Sequence, residues 1–426
     1  MCKLMVVLYP IGMEQLKNKK VLAVMVGLVV WVGLFYLQKQ LFVTADLGRH
    51  IVNGKVILES GKIPTTNLYS YTMPDYPTSF HHWMSGVVFY EVYKIMGFEG
   101  LSYLDAGLKV LTLVLALMVA LRKASWRSVL LTVVVAVPLI TSRREIRPEV
   151  FSYLLIVVYV WVMEKWKSNP EKYQRWLWLL PVLAVGWINL HVYFVLGWAV
   201  IGVYIVATLV AHSPIPVIKR LGWVLGLVVI MGVINPSGVA GLWEPISLSG
   251  ELNYGVVEGE NVWQVYTATG YYQYLAFMGM GLVVLWLIYD EPRRKIEEKK
   301  VKTRGNNLMN LWLGGYRIEA GTMLLGLFLI LGIYQIRFEH IFGLMVVMFG
   351  PEKLDGWIDS LWRKRRNDVN KGMVLASVGL VFSGVVVNSS YYNSWQNGFG
   401  MGLMEPVVKI GEFFDEQQIK GPVFNN

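Results

Sequence analysis

The chain has 426 residues, of which 55% are hydrophobic and only 16% charged, with a mean hydropathy of +0.47; a water-soluble globular domain of this length does not carry that composition. A formal net charge of +10 would suit nucleic acid if the basic residues formed one exposed stripe, but they fall in short clusters between apolar runs, so nucleic acid is excluded as a partner. The single cysteine, Cys2, rules out an internal disulfide and a thiolate metal cluster.

At the N-terminus, Leu4–Leu8 is too short an apolar run for a cleavable signal peptide, and Lys17, Lys19 and Lys20 directly precede the first long one. That run reads as an uncleaved signal-anchor. Membrane-crossing helices are expected at 21–38, 101–121, 128–141, 150–163, 176–190, 194–211, 221–234, 272–289, 320–336, 341–351 and 372–388. These are about eleven spans of a hydrocarbon core roughly 30 Å thick, some of them short. The expected fold is an all-α polytopic transmembrane helical bundle in the cell membrane, surrounded by membrane lipid.

Basic loops resist translocation, and this sets the orientation. Lys17 to Lys20, Arg122 to Arg127, Lys165 to Arg175, Lys219/Arg220, Arg293–Arg304 and Arg363–Arg366 all fall on one side if the N-terminus is cytoplasmic. An odd number of spans then leaves the C-terminus outside. Two outer segments are long, 44–100 and 235–271, and connections of that length in a compact chain usually carry function. Within the first, Met84–Met96 is amphipathic and suits a helix lying in the membrane interface. The inner run 290–319 reads as a solvated linker with a surface helix near Asn310–Arg317. Residues 1–404 form the transmembrane domain. Residues 405–426 read as the start of an outer C-terminal segment, a helix leading into a strand at Gly421–Asn426 with no partner, as in a truncated record.

Four polar groups could carry chemistry. Just past the first span, Asp46 shares a helical face with Arg49 and His50, and roughly with Asn53. A carboxylate held between cations stays ionised and can accept a proton from an incoming hydroxyl; the plainer reading is an interfacial ion pair at a helix end. His81 and His82 close the same loop. Adjacent histidines point to different faces of a regular element, so one of them as a hydrogen-bond donor to phosphate fits better than both as ligands of one metal. Arg143, Arg144 and Arg147 crowd a short outer turn against the positive-inside bias, which suggests a phosphate clamp, unless Glu145 and Glu149 simply neutralise them. Asn189, His191, Asn235-Pro236 and the run from Arg337 to His340 lie at other outer helix ends. Asp105 and Lys109, four apart inside the second span, are expected to pair for purely structural reasons.

The segments Asp46 to His50, Asn53-Gly54, Ile63 to Asn67, Tyr69 to Thr72 and His81 to Met84, with Arg147 to Ser152, Trp187 to His191 and Asn235-Pro236, resemble the GT-C-type membrane glycosyltransferases. The likeness is to a large prokaryotic family of these enzymes, distantly related to the dolichyl-phosphate-mannose protein mannosyltransferases. The resemblance implies a GT-C-like bundle with a long outer first loop. It also implies transfer of a sugar from a polyprenyl-phosphate donor to a glycan, lipid or protein acceptor outside the membrane. Asp46 would be the catalytic base. Arg147, with Arg143 or Arg144, would contact the donor phosphate, while Arg49, His50, His81, His82, Asn189, His191 and Arg337 would bind substrate. Many such enzymes carry two adjacent acids, whereas Ala45 and Leu47 flank Asp46 here. One carboxylate is a poor divalent site, so no cofactor is implied with certainty and a divalent metal stays open. Two other classes compete: a lipid-linked sugar transporter, which would place polar groups at mid-bilayer and show repeats, and a non-catalytic scaffold of an envelope-assembly complex.

Overall fold

The computed structural model describes residues 13–40, 46–69, 72–73, 75–143, 145–243, 245, 259–270, 274, 277–289, 319–364 and 399–419. Arg144, the middle of the second long outer segment, the surface helix near Asn310–Arg317, the expected span 372–388 and the strand at Gly421–Asn426 lie outside the described residues. Among the described residues the fold is all-helical, with strand-like pairing limited to isolated bridges.

The helices are α1 (Lys19–Tyr36), α2 (Asp46–Ser60), α3 (Trp83–Leu121), α4 (Trp126–Ile140), α5 (Glu149–Ser168), α6 (Leu179–Leu190), α7 (Val195–Val210) and α8 (Ile215–Met231). They continue with α9 (Val262–Thr269), α10 (Phe277–Tyr289), α11 (Ala320–Tyr334), α12 (Glu339–Lys364) and α13 (Glu405–Glu416). By length and apolar composition, three segments can cross a membrane: Lys19–Tyr36, Trp83–Leu121 and Val192–Val210; Trp126–Ile140, Phe277–Tyr289 and Ala320–Tyr334 are shorter apolar helices.

The reason is visible in α1. Asn18 caps it, its Oδ1 accepting from the Lys20 amide at 3.0 Å. Val21, Met25, Leu28, Val32 and Phe35 are buried at alternating spacings of four and three, while Leu22, Val26, Val30 and Leu34 are exposed. A helix that is apolar on its exposed side as well as its buried one has the pattern of a membrane span. In α5, Glu149 stands in the first turn and Lys165 and Lys167 in the last, matching charge to the helix dipole.

The helix expected at Met84–Met96 is present as the first arm of α3, and Gly97, where φ is 62° and ψ is −155°, separates it from the apolar helix that follows by a non-helical conformation that only glycine adopts at low cost. This arm packs along α2 with near backbone contact. A Cβ built on Gly54 would lie 2.0 Å from the Gly86 carbonyl oxygen, and one on Gly86 would lie 2.8 Å from the His50 carbonyl oxygen.

Hydrogen bonds fix which helix ends meet. Tyr36 Oη donates to the Ile140 carbonyl at 3.0 Å, joining the ends of α1 and α4, and Ser85 Oγ donates to the Leu190 carbonyl at 2.6 Å, joining the start of α3 to the end of α6. At the opposite end, Gln15 Nε2 donates to the Ala124 carbonyl at 2.9 Å. There Lys123 pairs with Glu164 at 2.7 Å, Tyr204 Oη donates to Glu164 at 2.6 Å, and Asp355 of α12 accepts from Ser125 Oγ at 2.8 Å. Helices α1 and α3 to α6 therefore run in alternating directions between two polar ends. Residues 399–404 are tied to the Tyr36 end, with Met404 N donating to the Gln40 carbonyl at 2.9 Å. The helix expected around Val407–Phe414 is present as α13, which buries no residue.

Candidate functional site

Asp46 opens α2, and three residues on, Arg49 Nη2 meets its Oδ1 at 2.9 Å. The turn between α4 and α5 brings Arg147 Nη1 to 3.8 Å from Asp46 Oδ2, which is beyond direct hydrogen-bond length. Arg147 is itself held by Glu145 at 2.7 Å, and Arg143 faces Glu149 at 3.5 Å. The neutralising glutamates are thus present, each facing an arginine of the turn. The turn is a mixed-charge cluster, with Arg147 shared between Glu145 and the edge of Asp46.

One α-turn further along α2, the His50 ring meets the His82 ring at 5.5 Å between centroids. His82 in turn contacts His81 at 4.1 Å and stacks on His191 at 4.8 Å with only 13° between planes. Asn189 is fixed twice, its Oδ1 accepting from Trp83 Nε1 at 2.7 Å and its Nδ2 donating to the Ile234 carbonyl at 2.8 Å. Arg337, in the turn before α12, lies close enough for its charge to act on His191, and the neighbouring Phe338 ring is 5.5 Å from that of Tyr193. Every candidate site residue within the described region therefore comes to the same end of the bundle; Arg144 falls outside it.

Burial decides the histidine chemistry. It pushes His50 down to about 3, with the Arg49 charge adding to the effect. His82 and His191 are held well below the ordinary imidazole range, chiefly by burial and next by the His81 charge. These rings are neutral at physiological pH and offer one donor and one acceptor nitrogen each. Among the described residues, no group of three or more His, Cys, Asp or Glu side chains is arranged to hold a metal ion.

Two cavities adjoin the cluster. A cleft of about 170 Å³, partly open to solvent, is lined by Arg49, His50, Asn53, Tyr69, His81 and Trp83 among others. A much smaller one of about 20 Å³ shares the wall Phe80, His81 and Trp83 and is further lined by Asn189, Asn235 and Ser237 together with Ile188, Val192 and Phe194. Both have mixed walls, with an arginine and several hydroxyls and amides in the first and Asn189, Asn235 and Ser237 in the second.

Sequence reasoning missed several participants. Tyr69 Oη donates to Asn53 Oδ1, closing the loop over α2. Ser152 and Trp187 support His191 from behind, with Trp187 Nε1 donating to Ser152 Oγ at 2.8 Å and Ser152 Oγ lying 2.9 Å from His191 Nδ1. A serine and a tryptophan inside apolar runs carry no local signal of such a role. The Asp105–Lys109 pair forms as expected, at 2.6 Å, but it is more than a self-contained structural pair. Lys109 Nζ also donates to the Arg143 carbonyl at 2.9 Å, anchoring the turn that carries the arginines.

No family model, curated protein or solved structure matches the chain at a significant level.

Proposed function

We propose that the protein is a polytopic GT-C-type membrane glycosyltransferase that moves a sugar from a polyprenyl-phosphate donor to an acceptor on the outer face of the membrane. In this reading the Asp46 end is the outer end, the N-terminus is cytoplasmic, the C-terminus is outside, and the bundle crosses the membrane about eleven times. The observation that carries it is the approach of Arg147 to Asp46, 3.8 Å apart, beside a cleft lined by Arg49, His50, Asn53 and Tyr69. A carboxylate at the edge of a cationic cluster supplies both requirements of the reaction.

The acceptor hydroxyl oxygen attacks the anomeric carbon, and its proton passes to the Asp46 carboxylate. The bond from the anomeric carbon to the phosphate oxygen breaks, and its electron pair leaves with the polyprenyl phosphate. Arg147, with Arg143 and Arg337 nearby, stabilises the charge that develops there. Asp46, Arg49 and Arg147 do this at a site open to solvent, so the acceptor can enter from the outer aqueous side.

The test is transfer of radiolabelled sugar from a panel of polyprenyl-phosphate hexoses and pentoses by the protein in lipid nanodiscs. Asp46→Asn is expected to lose about 10²–10⁴-fold in rate, the usual contribution of a general base, with unchanged unfolding temperature. Equal transfer by the two proteins would remove Asp46 from the chemistry. No transfer from any donor would instead favour a transporter or a scaffold.

A further inference from the structure

Helix α13 (Glu405–Glu416) is divided along its length. Val407, Ile410, Phe413 and Phe414 share one side at spacings of three and four, whereas Glu405, Lys409, Glu412 and Glu416 share the other. Within the polar side, Lys409 pairs with Glu405 at 2.6 Å. The apolar side is not used by the bundle: no residue of the helix is buried, and Ile410 and Phe413 are 59% and 53% exposed. With 12 residues the helix is about 18 Å long, too short to cross a hydrocarbon core roughly 30 Å thick.

The place where α13 starts identifies what covers that side. Residues 399–404 are fixed to the end of α1: Gln40 N donates to the Gly402 carbonyl at 2.8 Å and Met404 N to the Gln40 carbonyl at 2.9 Å. Gly402 N also donates to Ser102 Oγ of α3 at 3.1 Å. Helix α1 is long and apolar enough to cross a membrane, and its exposed apolar side runs up to Leu34, about one turn before this junction. Beside the junction stands the Gly97 turn of α3. A Cβ on Gly402 would lie 2.7 Å from Glu99 Oε1, and Ile95 and Met96, just before that turn, are exposed. The apolar surface of α1, the exposed pair on α3 and the start of α13 therefore meet at one level, where the first span leaves the hydrocarbon. We propose that α13 lies in the lipid headgroup region at the Asp46 end of the bundle, with Val407, Ile410, Phe413 and Phe414 turned into the acyl boundary, and that it favours a zwitterionic over an anionic surface. A helix that is apolar along one side and too short to span is stable in that plane. The surface charge follows from Glu405, Glu412, Asp415 and Glu416, which outnumber Lys409 and are repelled by anionic headgroups. The inference rests on α1 spanning the membrane and is independent of glycosyl transfer.

The experiment is spin labelling of the full chain in phosphatidylcholine nanodiscs, with single cysteines in a Cys2→Ser background and collisional access measured for oxygen and for a water-soluble nickel chelate. Labels at Ile410→Cys and Phe413→Cys should favour oxygen, at a depth of about 5–10 Å, while those at Glu412→Cys and Glu416→Cys favour the chelate. Adding Ile410→Glu should release the Phe413→Cys label to the chelate. Equal chelate access at all four positions would put the helix in water and overturn the proposal. Shielding of Ile410→Cys and Phe413→Cys from both reagents would overturn it in favour of a protein cover, from a second copy or another part of the chain. With equal parts of phosphatidylcholine and phosphatidylglycerol the two apolar labels should become shallower; the same or greater depth would overturn the zwitterionic preference. Val30→Cys, on the exposed side of α1, reports the span separately. If it favours oxygen while the α13 labels are in water, the span stands and this inference fails; chelate access at Val30→Cys overturns both.

Discussion

Both oxygens of the Asp46 carboxylate face arginines, but unequally: Oδ1 is bonded to Arg49 at 2.9 Å while Oδ2 stands 3.8 Å from Arg147. The tight contact orients the group, and in the proposed reaction the loosely held oxygen is the one that takes the hydroxyl proton. Behind it, buried histidines make the fold sensitive to acid. His50 titrates near 3 in the folded protein against about 6.5 in an unfolded chain, so between those values the unfolded chain binds a proton that the fold excludes. Stability from this residue is complete above about pH 6.5 and is lost as pH falls toward 3, by about 1.4 kcal/mol per pH unit. His191, lowered by burial in the same sense, adds to the slope. Thermal unfolding from pH 7.5 to 5 should show falling stability with a slope that flattens in His50→Gln; parallel slopes would refute it. Lys109 is a second residue with a double role. Lys109→Met leaves Asp105 buried without its countercharge, and the expected loss is about 3–5 kcal/mol. Pairing it with Asp105→Leu should restore much of the stability, measured by unfolding in detergent. The donor KM should stay raised in the double variant, because the Arg143 carbonyl still lacks its donor.

The packing of α2 against the first arm of α3 is what brings His50 beside His82. That packing depends on two glycines, since a Cβ on Gly54 would meet the Gly86 carbonyl oxygen at 2.0 Å. Backbone cannot yield as a flexible side chain does, so the helices must part. Gly54→Ala is expected to destabilise by about 1–3 kcal/mol and to depress sugar transfer by moving His50 away from His82. The control lies in the same helix: a Cβ on Gly48 meets nothing within 4 Å, and Gly48→Ala should be neutral or slightly stabilising through helix propensity. Unfolding temperatures of the two variants decide this, and equal values would mean that the close approach is not a constraint.

At the scale of the whole molecule, the bundle separates two kinds of polar end. One gathers Asp46, the histidines and the arginine turn; the other gathers Lys123, Glu164 and Asp355. The proposed orientation puts the first outside. In a Cys2→Ser background, Asp75→Cys at the Asp46 end should react with a membrane-impermeant maleimide in intact cells. Glu171→Cys, just beyond α5 at the opposite end, should react only after permeabilisation. Both positions are exposed, so the reverse pattern would invert the topology and the outward-facing site with it.

The helical, membrane-compatible class and the gathering of chemistry at helix ends were legible in the sequence, because apolar run length, basic-loop bias and i, i+3 spacing are local properties. The Asp46–Arg49 pair needed only its spacing, and Asp105–Lys109 only the cost of an unpaired charge in apolar surroundings. The meeting of Asp46 with Arg147, about a hundred positions apart, needed the alternating helix directions as well as the turn between α4 and α5. A helix over Met84–Met96 was legible from its amphipathic spacing, and Gly97 sets it apart from the apolar helix that follows; its packing along α2 was not legible, because that depends on close approach at Gly54 and Gly86. The histidine stack, the Ser152–Trp187 support of His191 and the grip of Lys109 on the Arg143 carbonyl were decided by tertiary structure alone. In each of them the partner is a backbone group or an ordinary side chain inside an apolar run, and such a group acquires a role only when packing brings it against another helix.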